Sequence, residues 1–356
     1  MKHRRRIRLW ILFAALALGL VVLPTGSAGA FLPFELIDAD TTLTEDHPGG
    51  IHIKEDNITL DCAGHSITWV PGDEEFGILI EGFTGVTVKN CVVVGFETGV
   101  HITGSSDIEV KNTVSLSEVY GFFIGGFHLD IPEHESHHVT VTNCTASGAM
   151  IYEGIGFLVD GGHDITLKNN VSTGNWDNGF RVRGPSHHNL LVNNRAESNG
   201  SHGIEVHGYF DDETSTTYEL AHNVLRGNIS VNNGVIHGGS GFKVGEHSTM
   251  NVLEGNQASR NRWGGFHVDE GASSNTLLTN RSFNNDGFGF LVYWHATDNK
   301  LVRNLSMRNG VGFLALEYST GTVLERNILC NNEEANLEYD STSEPTLIKN
   351  KICDIG

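Results

Sequence analysis

Short segments that alternate apolar and polar residues recur along most of the chain, and many of them end in asparagine. Alternation with a period of two residues is typical of a half-buried β-strand rather than of an amphipathic helix. The clearest copies are VTVKN (86–90), IEVKN (108–112), VTVTN (139–143), ITLKN (165–169), LLVNN (190–194) and TLIKN (346–350). The pattern therefore predicts one strand that is repeated many times.

The last residue of each copy recurs at intervals of 22 to 34 residues. Repeats of this length are typical of solenoids, in which equivalent residues of successive coils stack. We therefore expect a column of hydrogen-bonded side chains, as in other stacked-strand structures. The predicted column contains Asp61, Asn90, Asn112, Asn143, Asn169, Asn194, Asn228, Asn256, Asn280, Asn304, Asn327 and Asn350.

A second strand occurs before each copy of the first, as in FGILIEG, NGFRVRG and GGFHVDE. A short third strand, such as the VVV that follows Asn90, completes each coil. These features predict an all-β fold, a single-stranded right-handed parallel β-helix (solenoid) of about twelve coils. A propeller would need repeats of roughly 40 residues or more, and a leucine-rich solenoid would need regularly spaced leucines.

The repeat, together with the opening DNITLDCAGHSI (56–67), resembles the pectate-lyase-like superfamily of right-handed β-helices. The resemblance covers the chain from Asp56 to its C-terminus. It implies a function among polysaccharide lyases, hydrolases, uronan C5-epimerases, copper-site assembly proteins and surface proteins. Fold alone does not choose among these functions.

The first thirty residues predict a secretory signal peptide, because a basic start is followed by an apolar run and a small-residue tail. Residues 31–55 then form an N-terminal cap and residues 56–356 the β-helix. We expect an exported protein, periplasmic or extracellular, with no membrane segment after cleavage. Cleavage removes five of the 23 basic residues and no acid, so the net charge changes from −20 to 18 − 43 = −25. This charge disfavours nucleic acid as a partner.

Four of the five cysteines fall at equivalent positions of adjacent coils. Cys62 and Cys91 form one such pair, and Cys330 and Cys353 the other. Stacked residues of neighbouring coils lie roughly 4.8 Å apart, within the range that a disulfide can bridge. The pairs are therefore either two disulfides or small apolar residues repeated in a column.

The second strand has two columns of outward-facing residues, and ionic residues concentrate at their centre. Arg181 and Arg183 suit carboxylate recognition, because a guanidinium can bind a carboxylate through two hydrogen bonds. Trp176, Trp263 and Trp294 flank the strands and could stack on sugar rings. The central residues, which we call the strip, are Arg181, Arg183, Glu205, His207, Lys243, His267, Asp269 and Tyr293.

The strip predicts an acidic polysaccharide as partner, with Glu205 and Asp269 also in contact with substrate. The resemblance implies a lyase or C5-epimerase acting on a uronate-containing polysaccharide. The base would be His207, or Lys243 if its pKa is lowered, and the proton donor Tyr293 or His267. The alternatives are a non-catalytic carbohydrate-binding surface protein and a periplasmic metal-handling protein. Cross-strand pairing of charges on an exposed sheet would explain the strip without any function.

Two groups of residues are candidate metal ligands. Asp211, Asp212 and Glu213 could bind Ca²⁺ through oxygen atoms, and they lie in HGYFDDE (207–213), which resembles a YGFDPHE type of stretch in uronan C5-epimerases without its proline and histidine. Counting six residues back from the asparagine column predicts a second column of histidines. It contains His137, His163, His188 and His222, and stacked imidazoles could bind Cu or Zn.

Overall fold

The computed structural model describes residues 34–72, 75–126, 135–211, 216–218 and 220–354. The predicted signal peptide and residues 31–33 of the predicted cap lie outside the described residues. Among those described, no helix is long and apolar enough to cross a membrane.

Three parallel sheets of thirteen strands each, here called A, B and C, run the length of the described chain. Each coil adds one strand to each sheet, so the predicted all-β parallel β-helix is confirmed. Sheet A contains Phe34–Ile37, Gly50–Ile53, Phe76–Glu81, Thr98–Thr103, Tyr120–Gly125, Ile155–Asp160, Phe180–Arg183, Ile204–His207, Ser240–Gly245, Gly264–Val268, Phe288–Val292, Val311–Ala315 and Glu338–Tyr339.

Sheet B contains Thr41–Thr42, Thr59–Asp61, Thr87–Lys89, Glu109–Lys111, Thr140–Thr142, Thr166–Lys168, Leu190–Val192, Val224–Arg226, Val252–Glu254, Thr276–Leu278, Lys300–Val302, Val323–Glu325 and Thr346–Ile348. Sheet C contains His47–Pro48, Ser66–Thr68, Val92–Val94, Val114–Leu116, Thr145–Ser147, Val171–Thr173, Arg195–Glu197, Ile229–Val231, Gln257–Ser259, Arg281–Phe283, Leu305–Met307, Ile328–Cys330 and Lys351–Ile352. A short antiparallel hairpin, Tyr209–Asp211 with Thr216–Tyr218, projects after one sheet A strand.

The residues assigned from sequence to an N-terminal cap contribute the first strand of every sheet. Phe34–Ile37 pairs with Gly50–Ile53 in sheet A, and Thr41–Thr42 begins sheet B. The described part of the predicted cap, from residue 34, thus contains the first coil and the second strand of sheet A.

The core lies inside the coils, where alternate residues of all three sheets meet. Phenylalanines stack from coil to coil, with ring centroids 4.6 Å apart between Phe122 and Phe157 and 4.8 Å apart between Phe242 and Phe266. Glycine recurs at or beside the first residue of most sheet A strands, because there is no room for a side chain. At Gly241, for example, a Cβ atom would lie 2.7 Å from the Cβ of Ala258.

Buried asparagines form hydrogen-bonded stacks, but the predicted single column breaks between Asn169 and Asn194. Before the break, Asn90 donates to Asp61 at 2.9 Å and Asn112 donates to Asn90 at 3.3 Å, as predicted. Lys168 pairs with Val192, so Asn170, not Asn169, lies level with Asn194. The same one-residue offset applies to Asn143, which is exposed, and its neighbour Cys144 points inward instead. Asn143 and Asn169 have φ near +55°, a turn conformation that asparagine tolerates. Two kinds of asparagine therefore share one motif.

From Asn170 onward the inward column is continuous. Each backbone N–H and, from Asn194 onward, each side-chain amide donates to the amide oxygen of the next coil, as Asn256 does to Asn280 at 2.9 and 3.1 Å. A second stack runs from Asn175 and a third from Asn189. Each buried amide is thereby satisfied along the solenoid axis.

Of the two interpretations of the paired cysteines, the structure has the disulfides. Cys62 bonds to Cys91 and Cys330 to Cys353, with Cα atoms 4.8 and 4.9 Å apart. Cys144 is a free, buried thiol. Two disulfides fit an exported protein.

Candidate functional site

The register of sheet A brings the strip together as predicted. Leu158, Arg181, Glu205, Lys243 and His267 are direct neighbours in successive strands. Asp160, Arg183 and His207 form the parallel column, which continues to Gly245. The strip residues therefore lie on one face of the solenoid.

The sequence led us to expect that the centre of this face is open to solvent. In the structure it is buried. The side chains of Glu205, Asp269 and Lys243 are only 4, 5 and 12% exposed. Their charged groups contact one another, so each shields its neighbours from water. The strip is a buried ionic network rather than a layer of solvated charges.

Arg181 and Glu205 form the closest ion pair in this network. Arg181 Nε lies 2.6 Å from Glu205 Oε2, and a second guanidinium nitrogen lies 3.1 Å from Asp177. Asn178 donates a further bond to Glu205 Oε2. Burial opposes the charge of Glu205, but attraction first by Arg181 and then by His207 holds its pKa well below the usual range.

Arg183 is engaged in the same way by a neighbouring acid. Two of its nitrogens, Nε and Nη2, each lie 2.9 Å from Asp160 Oδ2. Burial raises the pKa of Asp160 despite the attraction of Arg183. Both arginines predicted to bind a uronate thus already have carboxylate partners within the protein.

Lys243 has three carboxylate neighbours at longer range. Its Nζ lies 3.8 Å from Glu205, 3.6 Å from Asp269 and 3.4 Å from Glu270. Burial opposes its charge, but Glu205 and then the other two acids raise its pKa. A basic role for Lys243 required a lowered pKa, and the structure gives the opposite direction.

His267 and Asp269 form a buried pair, with His267 Nε2 lying 3.1 Å from Asp269 Oδ2. Burial holds the pKa of His267 well below its usual range and raises the pKa of Asp269 to about 7. Tyr293 lies beyond this pair, with its ring 6.4 Å from the His267 ring. A hydrogen bond with Glu317 raises the pKa of Tyr293, so its hydroxyl stays protonated at neutral pH.

The structure adds two residues that the sequence analysis missed, Glu246 and Glu270. Each follows the second outward column by one residue, at φ of 41° and 52°. His207 Nε2 lies 3.0 Å from Glu246 Oε2, and His207 Nδ1 lies 3.6 Å from Glu205. The sequence signal that could have found them is an acid directly after VG and VD in adjacent coils.

Among the described residues, one group of three or more His, Cys, Asp or Glu side chains could hold a metal ion. It consists of His207, Glu246 and Glu270.

A pocket of about 450 Å³ opens beside this group. Trp294, which is 49% exposed, forms part of its wall. The lining residues are Glu246, His247, Glu270, Gly271, Trp294 and His295. The pocket joins an aromatic surface to a cluster of acids at the end of the strip.

The other two tryptophans lie at the opposite ends of the sheet A strands. Trp176 contacts His237 edge to face at 5.1 Å, and Trp263 contacts His202 at 5.9 Å. Trp263 is 47% exposed, so it can meet a ligand at the surface. The three predicted stacking residues therefore flank the strip from two sides.

The two groups of predicted metal ligands outside the strip have different outcomes in the structure. Asp212 and Glu213 lie outside the described residues, and the side chain of Asp211 does too. The histidine column is wrong by one residue, because His163 pairs with His187 rather than with His188.

The histidines form two stacks instead of one. His137, His163 and His187 stack at 5.1 and 5.0 Å, whereas His188 stacks on His222 at 5.2 Å. The offset has the same origin as that of the asparagine column, since both counts passed through Asn169. Metal binding by these histidines stays a prediction.

Comparison with known proteins agrees with this architecture. A family model described as "Right handed beta helix region" matches residues 76–244 and 221–352. The chain belongs to this family. No curated protein matches the chain in sequence.

Several solved structures of right-handed β-helices are similar to the chain. The A-module of mannuronan C-5 epimerase AlgE4 from Azotobacter vinelandii is 16% identical, with a TM-score of 0.62 over 86% of this chain and 87% of that one. The periplasmic alginate epimerase AlgG is 18% identical, with a TM-score of 0.63 over 86% and 77%. The Agl-KA catalytic domain is 14% identical, with a TM-score of 0.63 over 84% and 62%. At these identities the likeness concerns the fold.

Proposed function

We propose that the protein binds a uronate-containing polysaccharide along the strip and acts on it as a lyase or a C5-epimerase. One observation carries the proposal: ionic and polar side chains line five successive coils of sheet A and end at a pocket beside Trp294. Five coils span about 20 Å, which is room for several sugar units. The neighbours named as mannuronan and alginate epimerases support the same substrate class.

Both reactions begin with removal of the proton at C5 of the uronate. In epimerisation a proton returns to C5 from the opposite face of the ring. In elimination the electron pair of the C5–H bond forms a C4–C5 double bond, the C4–O bond breaks, and the leaving oxygen takes a proton. Each reaction therefore needs a cation near the carboxylate, a base and a proton donor.

Lys243 is the cation that suits the substrate carboxylate. The two arginines have carboxylates at 2.6 to 2.9 Å, whereas all contacts of Lys243 are 3.4 Å or longer. Its N–H groups can therefore form a shorter, charge-assisted bond with an incoming carboxylate.

His267 and Tyr293 suit the proton transfers. His267 projects outward beside Lys243, and its Nε2 lies 3.1 Å from Asp269 Oδ2, although neither ring nitrogen has a hydrogen-bond partner among the described residues. A histidine with a carboxylate beside it is a common arrangement in acid–base catalysis. Tyr293 is half-buried and lies next to the His267 ring, so its hydroxyl is the proton donor in this proposal.

The test is to incubate the protein with alginate, pectate and glycosaminoglycans in D₂O. Deuterium at C5 reports epimerisation, and absorbance near 235 nm reports the unsaturated product of elimination. Tyr293→Phe and His267→Gln should each lower turnover by about 100-fold or more while polymer binding changes little. Lys243→Met should weaken binding itself.

Lys300→Ala is the matched control, because Lys300 is an exposed, outward lysine on sheet B. It should leave binding and turnover unchanged. The proposal fails if no polymer exchanges deuterium, is cleaved or binds, or if the three strip variants behave like the control.

A further inference from the structure

We infer that His207, Glu246 and Glu270 form a binding site for a divalent metal ion of borderline hardness, with Zn²⁺ as the best match. This site is independent of the proposed function, since it would exist whether or not the strip acts on a polysaccharide. One ligand atom of each residue lies within 4.8 Å of the other two. His207 Nε2 and Glu246 Oε2 are 3.0 Å apart, close to the separation of two ligands that share a metal at about 2.0–2.2 Å.

The solenoid places these residues from three successive coils. His207 ends its sheet A strand, and its partner in the next coil is Gly245. Glu246 follows Gly245, and Glu270 occupies the equivalent turn one coil later, also at positive φ. The two turns direct both carboxylates across the same edge of sheet A.

Gly245 lets the carboxylates of the next coil lie close to its backbone. A Cβ atom there would lie 2.6 Å from Asp269 Oδ1, 3.0 Å from Lys243 Cε and 3.3 Å from Glu270 Oε2. A side chain at this position would therefore displace the acids that surround the proposed ion.

Asp269 gives an independent indication of a missing partner. Only 5% of its side-chain surface is exposed. Its Oδ1 has no hydrogen-bond partner in the described part of the chain, and this oxygen points over Gly245 towards the proposed site. Buried carboxylate oxygens are normally satisfied, because an unpaired one is costly. A metal-bound water at the proposed site would provide the missing donor.

The charges around the proposed site also favour a cation. Glu205, Glu246, Asp269 and Glu270 surround Lys243, the one ammonium that contacts this group among the described residues. Arg181 offsets Glu205 but also contacts Asp177. Acidic side chains therefore outnumber basic ones around the proposed site, and a divalent ion would offset the excess negative charge.

The donor set distinguishes among metals. Ca²⁺ and Mg²⁺ are bound almost entirely through oxygen, whereas imidazole nitrogen suits Zn²⁺ and other transition metals. One imidazole with two carboxylates and room for water matches a Zn²⁺ site with an open position.

The experiment is calorimetric titration of EDTA-treated protein with Zn²⁺, Mn²⁺ and Ca²⁺. We expect one Zn²⁺ per chain, bound at least about 100-fold more tightly than Ca²⁺. Glu246→Gln/Glu270→Gln should weaken Zn²⁺ binding by about 100-fold or more. The matched control, His163→Ala/His188→Ala, alters the histidine stacks and should leave this affinity unchanged.

A second measurement does not depend on any variant. X-ray absorption of the wild-type protein with one equivalent of Zn²⁺ should show a single imidazole together with oxygen ligands at about 2.0–2.1 Å. Two or more imidazoles would place the ion on the histidine stacks and overturn the assignment. The assignment is also overturned if the Glu246→Gln/Glu270→Gln variant still binds Zn²⁺ as tightly, or if the wild-type protein does not bind Zn²⁺.

Discussion

Glu205 illustrates how a charged residue can be buried in the wall of a solenoid. Its carboxylate accepts bonds from Arg181 and Asn178 and lies within 3.8 Å of Lys243 and His207. Removing one partner of such a group leaves an uncompensated charge, which costs several kcal/mol. Lys243→Met keeps the shape of the side chain but removes one partner of Glu205, so each strip variant should be checked for folding before its activity is interpreted.

His202 is a buried histidine that should make stability depend on pH. Its Nδ1 accepts a hydrogen bond from the backbone N–H of Ser240 at 2.9 Å. Burial lowers its pKa to about 4; nearby Glu205 opposes this shift, whereas Lys243 and Arg181 reinforce it.

The unfolded chain binds a proton at His202 below pH about 6.5, but the folded protein does so only near pH 4. His202 therefore makes its full contribution to the free energy of unfolding above pH 6.5. This contribution, about 3 kcal/mol, is lost as the pH falls towards 4. His202→Asn keeps an acceptor but does not titrate, so its urea midpoint should vary less between pH 7 and 4. Equal pH dependence in both proteins would contradict this prediction.

Cys144 should be unreactive in the folded protein. It is 1% exposed, and burial raises the pKa of its thiol to about 12. Reactivity needs an accessible thiolate. Iodoacetamide at pH 8 should label no cysteine in the native protein, one after unfolding without reductant, and all five after reduction.

The single label should disappear in Cys144→Ser. Labelling of three cysteines without reductant would mean that one of the two disulfides is missing in solution.

The asparagine stack is the element that ties one coil to the next. Asn256 accepts bonds from the backbone and the amide of Asn228 and donates to Leu225 and Asn280. Asn256→Ala would leave several buried polar groups without partners, at about 1–3 kcal/mol each. We expect the variant to lose about 2–4 kcal/mol, measured as a lower urea midpoint.

Lys300→Ala serves as the control here too, since it removes only an exposed side chain, from a sheet B strand. An Asn256→Ala variant as stable as this control would show that the stack contributes little.

The strands could be predicted from sequence because alternation and spacing report directly on which residues face inward. The strip register was correct for the same reason, as the pairing of Arg181 with Glu205 shows. The asparagine column failed at Asn143 and Asn169, because an asparagine in a turn at positive φ looks the same in sequence as one that points inward. The double asparagine at 169–170 marks the change from one role to the other.

The contacts within the strip could not be predicted from sequence. The predicted outward direction of the strip side chains was correct. The burial of Glu205 and Asp269, however, depends on how neighbouring side chains pack over one another. Glu246 and Glu270 were missed because they lie in turns, where the two-residue period that located the strip no longer applies.

At the scale of the whole molecule, the two disulfides fasten coils near opposite ends of the solenoid. They close segments with sequence separations of 29 and 23 residues. Each should contribute about 3 kcal/mol. In a stack that is held by nearest-neighbour contacts, however, the effect of losing one should remain local.

Cys62→Ser/Cys91→Ser should therefore speed amide hydrogen exchange in residues 34–111 and leave residues 224–302 unchanged. Cys330→Ser/Cys353→Ser, the matched variant, should speed exchange only near the other end. Faster exchange along the whole chain in either variant would mean that the solenoid opens as one cooperative unit.

The asparagine stacks also limit which cells can produce this protein. Asn170, Asn199, Asn228, Asn280 and Asn304 are each followed at the second position by serine and are 0–2% exposed. A eukaryotic secretory pathway attaches glycans to such asparagines as the chain emerges, before the coils close over them. A sugar at any of the five would hold two coils apart, so expression in such a host should give misfolded material, whereas hosts without this modification should not.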